Sequence, residues 1–180
     1  MSHLIEPKTT RLQLRQWRDC DREPFAAMNA DPKVMEYFPG LLSREESDAG
    51  IDRQIAHIEQ YGWGFWAVER LQDRQFLGFV GIKHVTADMP FAPAVEIGWR
   101  LATYAWGHGF ATEAARACLQ VGFEQLELPE IVSFTVPGNF RSRAVMEKLG
   151  MQQDENFLHP ALPQGHPMQE HVLYRLANPL

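Results

Sequence analysis

The stretch WGHGFATEAARACL, residues 106–119, constrains the fold of this chain more than any other. Gly107 and Gly109 flank His108 and stand immediately before a helical pattern. From Ala111 the apolar or small positions are 111, 114, 115, 118, 119 and 122, an i, i+3, i+4 spacing that makes one narrow face. Ala114, Ala115, Cys118 and Gly122 carry little side chain, so this helix can lie close against a sheet. A chain of 180 residues, 45% hydrophobic and 22% charged, is long enough and apolar enough to supply that sheet within one domain, expected to span 1–180.

A helix that begins behind two glycines is a candidate anion site. Its first N–H groups have no intrahelical acceptor, and the positive end of its dipole faces the incoming chain. Glycine lets a ligand come close to the backbone, so a pyrophosphate at this end is chemically reasonable. A tight turn with two glycines meets the same pattern on purely structural grounds. Two familiar phosphate motifs fail here. The P-loop needs Lys after its last glycine, and none follows Gly109. The dinucleotide fingerprint needs a small third residue at Thr112 and an acid ending the next strand, which EIVSFTVPGN lacks.

The rest of the chain gives that helix its neighbours. TTRLQLRQW alternates around Leu12 and Leu14 as a first strand. DREPFAAMNADPKVMEYF reads as short helices, with Asp31 as an N-cap before Pro32. Ser43 and Glu46 fit a capping box ahead of a helix with Ile51, Ile55 and Ile58 on one face. GFWAVERL and RQFLGFVGIKHV read as a hairpin across QDR, and VEIGWRLA as the next strand. EIVSFTV is a further strand, RSRAVMEKLG a short helix stopped at Gly150, and HVLYRLA a closing strand. Tyr61, Trp63, Phe65 and Trp66 are expected in the core and on a pocket wall. The order is an α+β arrangement, a mixed and mostly antiparallel sheet carrying helices.

Composition excludes several function classes. The net charge of −6 argues against nucleic-acid binding, which needs a basic stripe. The apolar runs are too short to span a membrane, and the start shows no cationic stretch followed by an apolar one. Cys20 and Cys118 match no metal or CxxC spacing, and Cys118 is expected as a buried thiol in a reduced, cytoplasmic protein. His159, His166 and His171 lack tight metal spacing, so no metal is expected.

Four segments in order carry a family resemblance. WGHGFATEA resembles the coenzyme A loop of the GNAT superfamily of N-acetyltransferases, with Trp106 where Gln or Arg is usual. It takes the form found in the Rim-type branch, the ribosomal-protein N-terminal acetyltransferases. TTRLQLRQW, NADPKVMEYF and GNFRSRAVMEKLGM resemble that branch's opening strand, early helix and second coenzyme segment. The resemblance runs from about residue 9 to 176.

The resemblance implies a sheet splayed between its fourth and fifth strands, helices on both faces, and acetyl-CoA in the gap. It implies that Trp99, Arg100 and Leu101 offer backbone hydrogen bonds to the pantetheine. It also implies that the segment Trp106, Gly107, His108, Gly109, Phe110, Ala111 and Thr112 forms the coenzyme loop, with the amides of Gly107 through Thr112 holding the pyrophosphate. Asn139 and Ser142 would stand beside the coenzyme, Arg143 with Arg141 and Lys148 would add positive charge, and His108 would be largely incidental. Glu113, a carboxylate in the first turn, is expected to point away from any phosphate.

Acetyl transfer needs a neutral amine, an oxyanion donor and a proton for the leaving thiolate. Glu96, a lone acid among apolar strand residues, is the expected general base. It alternatively bonds within the sheet or pairs with Arg100. Ser142 is the expected group at the sulfur, with Tyr104 and Tyr174 as alternatives and helix capping as the structural role of Asn139 and Ser142. The expected acceptor is a primary amine, a peptide N-terminus or a small molecule; an α-amine of pKa about 7.7–8.0 deprotonates more easily than lysine at about 10.4, which favours a low-pKa amine without deciding between them. Residues 20–65 and the loop 156–170 are expected to set its identity, the loop as a lid or dimer element of a monomer or homodimer. A non-catalytic acyl-CoA sensor on the same fold is the competing function.

Overall fold

The computed structural model describes residues 3–180, so the first two residues of the expected 1–180 domain lie outside it. The strands are β1 (Leu12–Arg15), β2 (Phe65–Arg70), β3 (Phe76–His84), β4 (Val95–Leu101), β5 (Glu130–Thr135), β6 (Gln152–Gln153), β7 (Phe157–Leu158) and β8 (Glu170–Ala177). The helices are α1 (Arg22–Asn29), α2 (Arg44–Tyr61), α3 (Phe110–Gln120) and α4 (Phe140–Lys148). The sheet runs β1-β2-β3-β4-β5-β8-β6, with β7 on β8. Every pairing is antiparallel except β4 with β5.

That exception positions the site. β3 and β4 stay in register from Gly78↔Leu101 to His84↔Val95, whereas β4 and β5 pair in parallel only at Glu96↔Val132. Ser133 Oγ donates to the Ile97 carbonyl at 2.9 Å, and beyond that point the two strands part. The splay expected between the fourth and fifth strands is therefore present.

The core lies between the sheet and its helices. Ile51 and Ile58 of α2 and Ala114, Ala115 and Cys118 of α3 are fully buried, with Ile55 partly so. A Cβ on Gly122 would stand 2.6 Å from Ile131 Cδ1, so the close helix–sheet approach needs glycine there. Ser43 accepts from the Glu46 amide and Glu46 reaches back to the Ser43 amide, completing the capping box of α2. Trp66 is fully buried, while Tyr61 is exposed.

Two local expectations fail: Tyr61 joins neither the core nor the cavity wall, and the helix expected after Asp31 does not form. Asp31–Pro32 starts no helix; residues 32–37 are turns. Asp31 Oδ1 does accept from the Lys33 amide at 2.9 Å, but Pro39 and Gly40 leave the segment too short to propagate. Its Val34 and Met35 are buried, and the Met35 amide donates to the Asp31 carbonyl at 3.0 Å, a single turn that does not continue into a helix.

Candidate active site

The α3 N-terminus is open. Gly107 and Gly109 take φ of 78° and 77°, a region that strongly favours glycine. Neither added Cβ would clash within 3.4 Å, so conformation and not space demands glycine. Gly109 is the N-cap and no side chain caps the first turn, which leaves the N–H groups of Phe110, Ala111 and Thr112 aimed outward. Glu113 is turned away from them. It accepts from Thr9 Oγ1 at 2.7 Å, the Arg11 amide at 3.0 Å and Arg11 Nε at 2.7 Å. These bonds hold its carboxyl below the usual range against the opposing effect of burial. Arg11 also donates to the His108 carbonyl at 2.9 Å, so one side chain ties the loop to the start of the sheet. The His108 side chain is exposed.

The gap between β4 and β5 opens into a cavity of roughly 420 Å³. The phase of the β3–β4 ladder shows which amides face it. Val85 N–H bonds the Ala94 carbonyl and Ala102 N–H bonds the Leu77 carbonyl, so even-numbered β4 residues exchange their bonds with β3. Odd-numbered ones face β5, as Ile97 does toward Ser133. Trp99 and Leu101 therefore turn backbone groups to the gap, and the Leu101 carbonyl there takes the Trp106 indole N–H at 3.0 Å. The backbone of Arg100 is spent on Phe79, which corrects its expected place among the gap-facing amides.

The α4 end divides the expected residues. Asn139 caps α4, its Oδ1 accepting from the Ser142 amide at 3.3 Å, donates to Thr135 Oγ1 at 3.0 Å, and also lines the cavity. Ser142 lines the cavity and its Oγ accepts from the Trp99 indole at 3.3 Å, which leaves the hydroxyl proton free to be donated. Arg143 is not brought to the cavity. Its guanidinium bonds Tyr174 Oη, the Pro137 carbonyl and Gln153 Oε1. Arg141 lines the cavity instead, 3.8 Å over the Trp106 ring. Tyr174 is buried beneath Arg143, and Tyr104 bonds the Phe76 carbonyl; neither reaches the cavity.

Glu96 stands on the opposite face of β4 from Trp99. It lines both this cavity and an adjoining hollow bounded by Lys83, His84, Asp88 and Met89. Burial pushes its carboxyl up to about 7, with the Lys83 ammonium on the neighbouring strand opposing the rise. It has no hydrogen bond and no ion pair within 4.0 Å among the described residues, so it pairs neither with the sheet nor with Arg100. An unpartnered carboxyl poised near neutrality on a wall between two spaces can accept a proton from a molecule entering either.

Three wall residues escaped sequence reasoning. Tyr37, on the turn after α1, is the tyrosine that lines the cavity among the described residues. His159 and His171 line it too, with ring centroids 5.0 Å apart, and burial lowers both imidazoles. They come from the loop 156–170 and from β8, whose pairing with β7 makes that loop a cavity wall. The only sequence signal was the loop's proline, histidine and aromatic content. No group of three or more His, Cys, Asp or Glu among the described residues could hold a metal ion.

Strands parting beside a glycine-led helix, with a half-buried carboxyl on the wall, are the framework of the acyl-CoA acyltransferases. Residues 11–152 match the family model for the acetyltransferase (GNAT) domain. The chain belongs to the GNAT family, acetyltransferases that draw the acetyl group from acetyl-CoA. It is 35% identical over 144 residues to the uncharacterized protein YkkB of Bacillus subtilis, covering 79% of this chain and 83% of that one. It is 29% identical over 154 residues to an FsC-acetyl coenzyme A-N(2)-transacetylase of Aspergillus fumigatus, covering 83% of this chain and 66% of that one. A GNAT-family acetyltransferase from Bacillus anthracis superposes with a TM-score of 0.81 at 24% identity, covering 97% and 99% of the two chains. RimL, a ribosomal L7/L12 α-N-protein acetyltransferase solved with coenzyme A, shares the fold at a TM-score of 0.75 and 16% identity, covering 95% and 96%. No helix among the described residues is long and apolar enough to cross a membrane.

Proposed function

We propose that this protein, acting as a single N-acetyltransferase domain, transfers the acetyl group of acetyl-CoA to a primary amine by direct attack in a ternary complex. The observation that carries the reading is Glu96, a half-buried and unpartnered carboxyl raised by desolvation to about 7 where two cavities meet. The thioester arm occupies the β4–β5 gap, its amides paired with the gap-facing backbone groups of Trp99 and the Leu101 N–H. The pyrophosphate sits on the N–H groups of the first turn of α3. Oriented amides bind phosphate without formal charge, so a net charge of −6 is no obstacle.

The acceptor enters on the Glu96 side. Ionised Glu96 removes a proton from the ammonium, directly or through one water, and the neutral amine attacks the thioester carbonyl. The C–N bond forms, the tetrahedral oxyanion collapses, and the C–S bond breaks. The departing thiolate takes the Ser142 hydroxyl proton, and the second proton, shed by the substituted nitrogen as the amide forms, passes through water to restore Ser142. The Trp99 indole donates to Ser142 Oγ, which leaves the hydroxyl proton available to the sulfur. No acyl-cysteine is needed: Cys118 is fully buried, its thiol pushed far up by desolvation, and Cys20 does not line the cavity.

The test is thiol release from acetyl-CoA with a panel of peptides, amino acids, polyamines and aminoglycosides. Turnover with at least one amine is expected, and Glu96→Gln should depress kcat far more than coenzyme binding. Tight coenzyme binding with no turnover across the panel would instead make the protein a sensor on an acetyltransferase fold.

A further inference from the structure

Arg100 is a charged cavity side chain that the acetyl-transfer chemistry leaves without work. It projects from the same face of β4 as Glu96 and lines the same cavity. Its guanidinium lies 4.2 Å over the Phe38 ring and 5.4 Å from the Phe79 ring. Nη1 donates to Asn29 Oδ1 at 2.9 Å, and Asn29 is itself fully buried and fixed by Ser47 at 3.0 Å. No carboxylate lies within 4.0 Å of the guanidinium among the described residues, and buried Nε has no acceptor at all. Nη2 has none either. The Nε–Nη2 edge, the geometry that receives a carboxylate through two parallel bonds, is therefore the unused side of a clamped guanidinium.

A half-buried cation whose covered Nε has no acceptor is costly unless something completes its fork. Burial pushes Arg100 down only to about 10, so it remains charged at neutral pH. The surrounding charge is biased the same way. Lys33 also lines this part of the cavity, and Glu96 is the one carboxylate on its wall, in a chain of net charge −6. Arg100 does not belong to the pyrophosphate, because it faces α1 through Asn29, whereas the opposite face of the sheet, at Ile82 beside Ile97, packs against Gly122 just after α3.

We propose that Arg100 anchors the acceptor, and that the acceptor is an amine carrying a carboxylate at the far end of an apolar spacer. This rests on the assignment of Glu96 as base. Glu96 and Arg100 are four positions apart on one strand, roughly 13 Å between Cα atoms. Gly98 lies between them on the same face, and the Phe65 ring covers it; a Cβ there would meet that ring at 3.2 Å. Phe65 stacks on Phe79 at 5.1 Å, so an aromatic floor runs from the base to the guanidinium. A simple α-amino acid, with its two charged groups on one carbon, is too short to touch both ends. A longer amino acid, or a short peptide with its carboxylate beyond the first residue, has the right shape.

The experiment uses matched ω-aminocarboxylates and ω-aminocarboxamides of one to seven methylenes. Their kcat/KM for thiol release is measured, with calorimetric binding to the coenzyme A complex as a second readout. The wild type should prefer the carboxylate by at least about tenfold for the longer members and show no preference for the shortest. Arg100→Gln should bring the acid-to-amide ratio toward one, and Arg100→Lys should restore part of it. Melting temperature and coenzyme affinity report whether each variant is folded. Equal rates and equal binding for acid and amide in the wild type, with turnover intact, would overturn the anchor and leave the acetyltransferase reading standing. Absence of turnover with any amine would overturn that reading, and the binding ratio would then decide the anchor alone.

Discussion

Replacing Glu96 with Gln should make the protein slower and, above neutrality, more stable. Desolvation raises the carboxyl from 4.5 to about 7 in the folded chain. The sign follows from that direction. Between the two values the unfolded chain releases the proton while the folded chain keeps it, so the native state loses stability as pH rises from 4.5 to 7. Above 7 the full penalty is present. At 1.36 kcal/mol per unit the shift corresponds to about 3 kcal/mol. Gln keeps the shape and removes the ionisation, though its buried amide carries its own desolvation cost at every pH. The stability gap between Glu96→Gln and wild type should therefore widen by about 3 kcal/mol between pH 4.5 and pH 8. In a chain of this size that corresponds to about 6–12 °C in relative melting temperature. Urea unfolding at a series of pH values measures it. Over the same range kcat should fall by about 10²–10⁴-fold in the variant. A gap that stays constant from pH 4.5 to pH 8 would refute the desolvated-carboxyl argument, whatever the rate did.

Further expectations are independent of that one. Gly109→Ala forces an L-residue to φ of 77°, at a cost of about 1–2 kcal/mol; it should raise KM for acetyl-CoA about tenfold with a smaller effect on kcat, in coenzyme saturation curves. Ser142→Ala should lower kcat about tenfold or more and leave KM for acetyl-CoA within about threefold, because only the departing sulfur loses a donor. Arg143→Ala should lower the melting temperature, through loss of the Pro137, Tyr174 and Gln153 bonds, without changing coenzyme affinity. Glu113→Gln should remove a stabilising contribution that is full above 4.5 and lost as pH falls through the lowered folded value; pH-dependent melting below pH 5 reads it.

The sequence was most legible where local rules and packing agree. The small face of α3, the Ser43–Glu46 box and the Gly150 stop each follow from a pattern a few residues long, and each forms. The orientation of Glu113 was legible as well, because a carboxylate at an anion-binding helix end must find another partner. What stayed hidden depends on contacts between distant segments. Arg15 alternates out of step with Leu12 and Leu14, yet it is buried because Asp21 and Glu69 supply charged partners at 2.8 Å and 3.1 Å. Arg141 and Arg143 look equivalent in RSRAV, and only the placement of Trp106 and Pro137 separates a cavity residue from a structural one. Arg100 was expected to contribute backbone, but the phase of a ladder is not visible until β3 is aligned against β4. Tyr37 and His159 reach the cavity from loops whose path no periodicity encodes.

The central claim is that acetyl-CoA lies in the parting of β4 and β5. A crystal structure with coenzyme A bound tests it most directly. Pyrophosphate oxygens are expected within about 3 Å of the amides of Phe110, Ala111 and Thr112, with pantetheine amides paired with Trp99 and Leu101. Phosphates held away from the α3 N-terminus, or a pantetheine arm outside the β4–β5 gap, would contradict it.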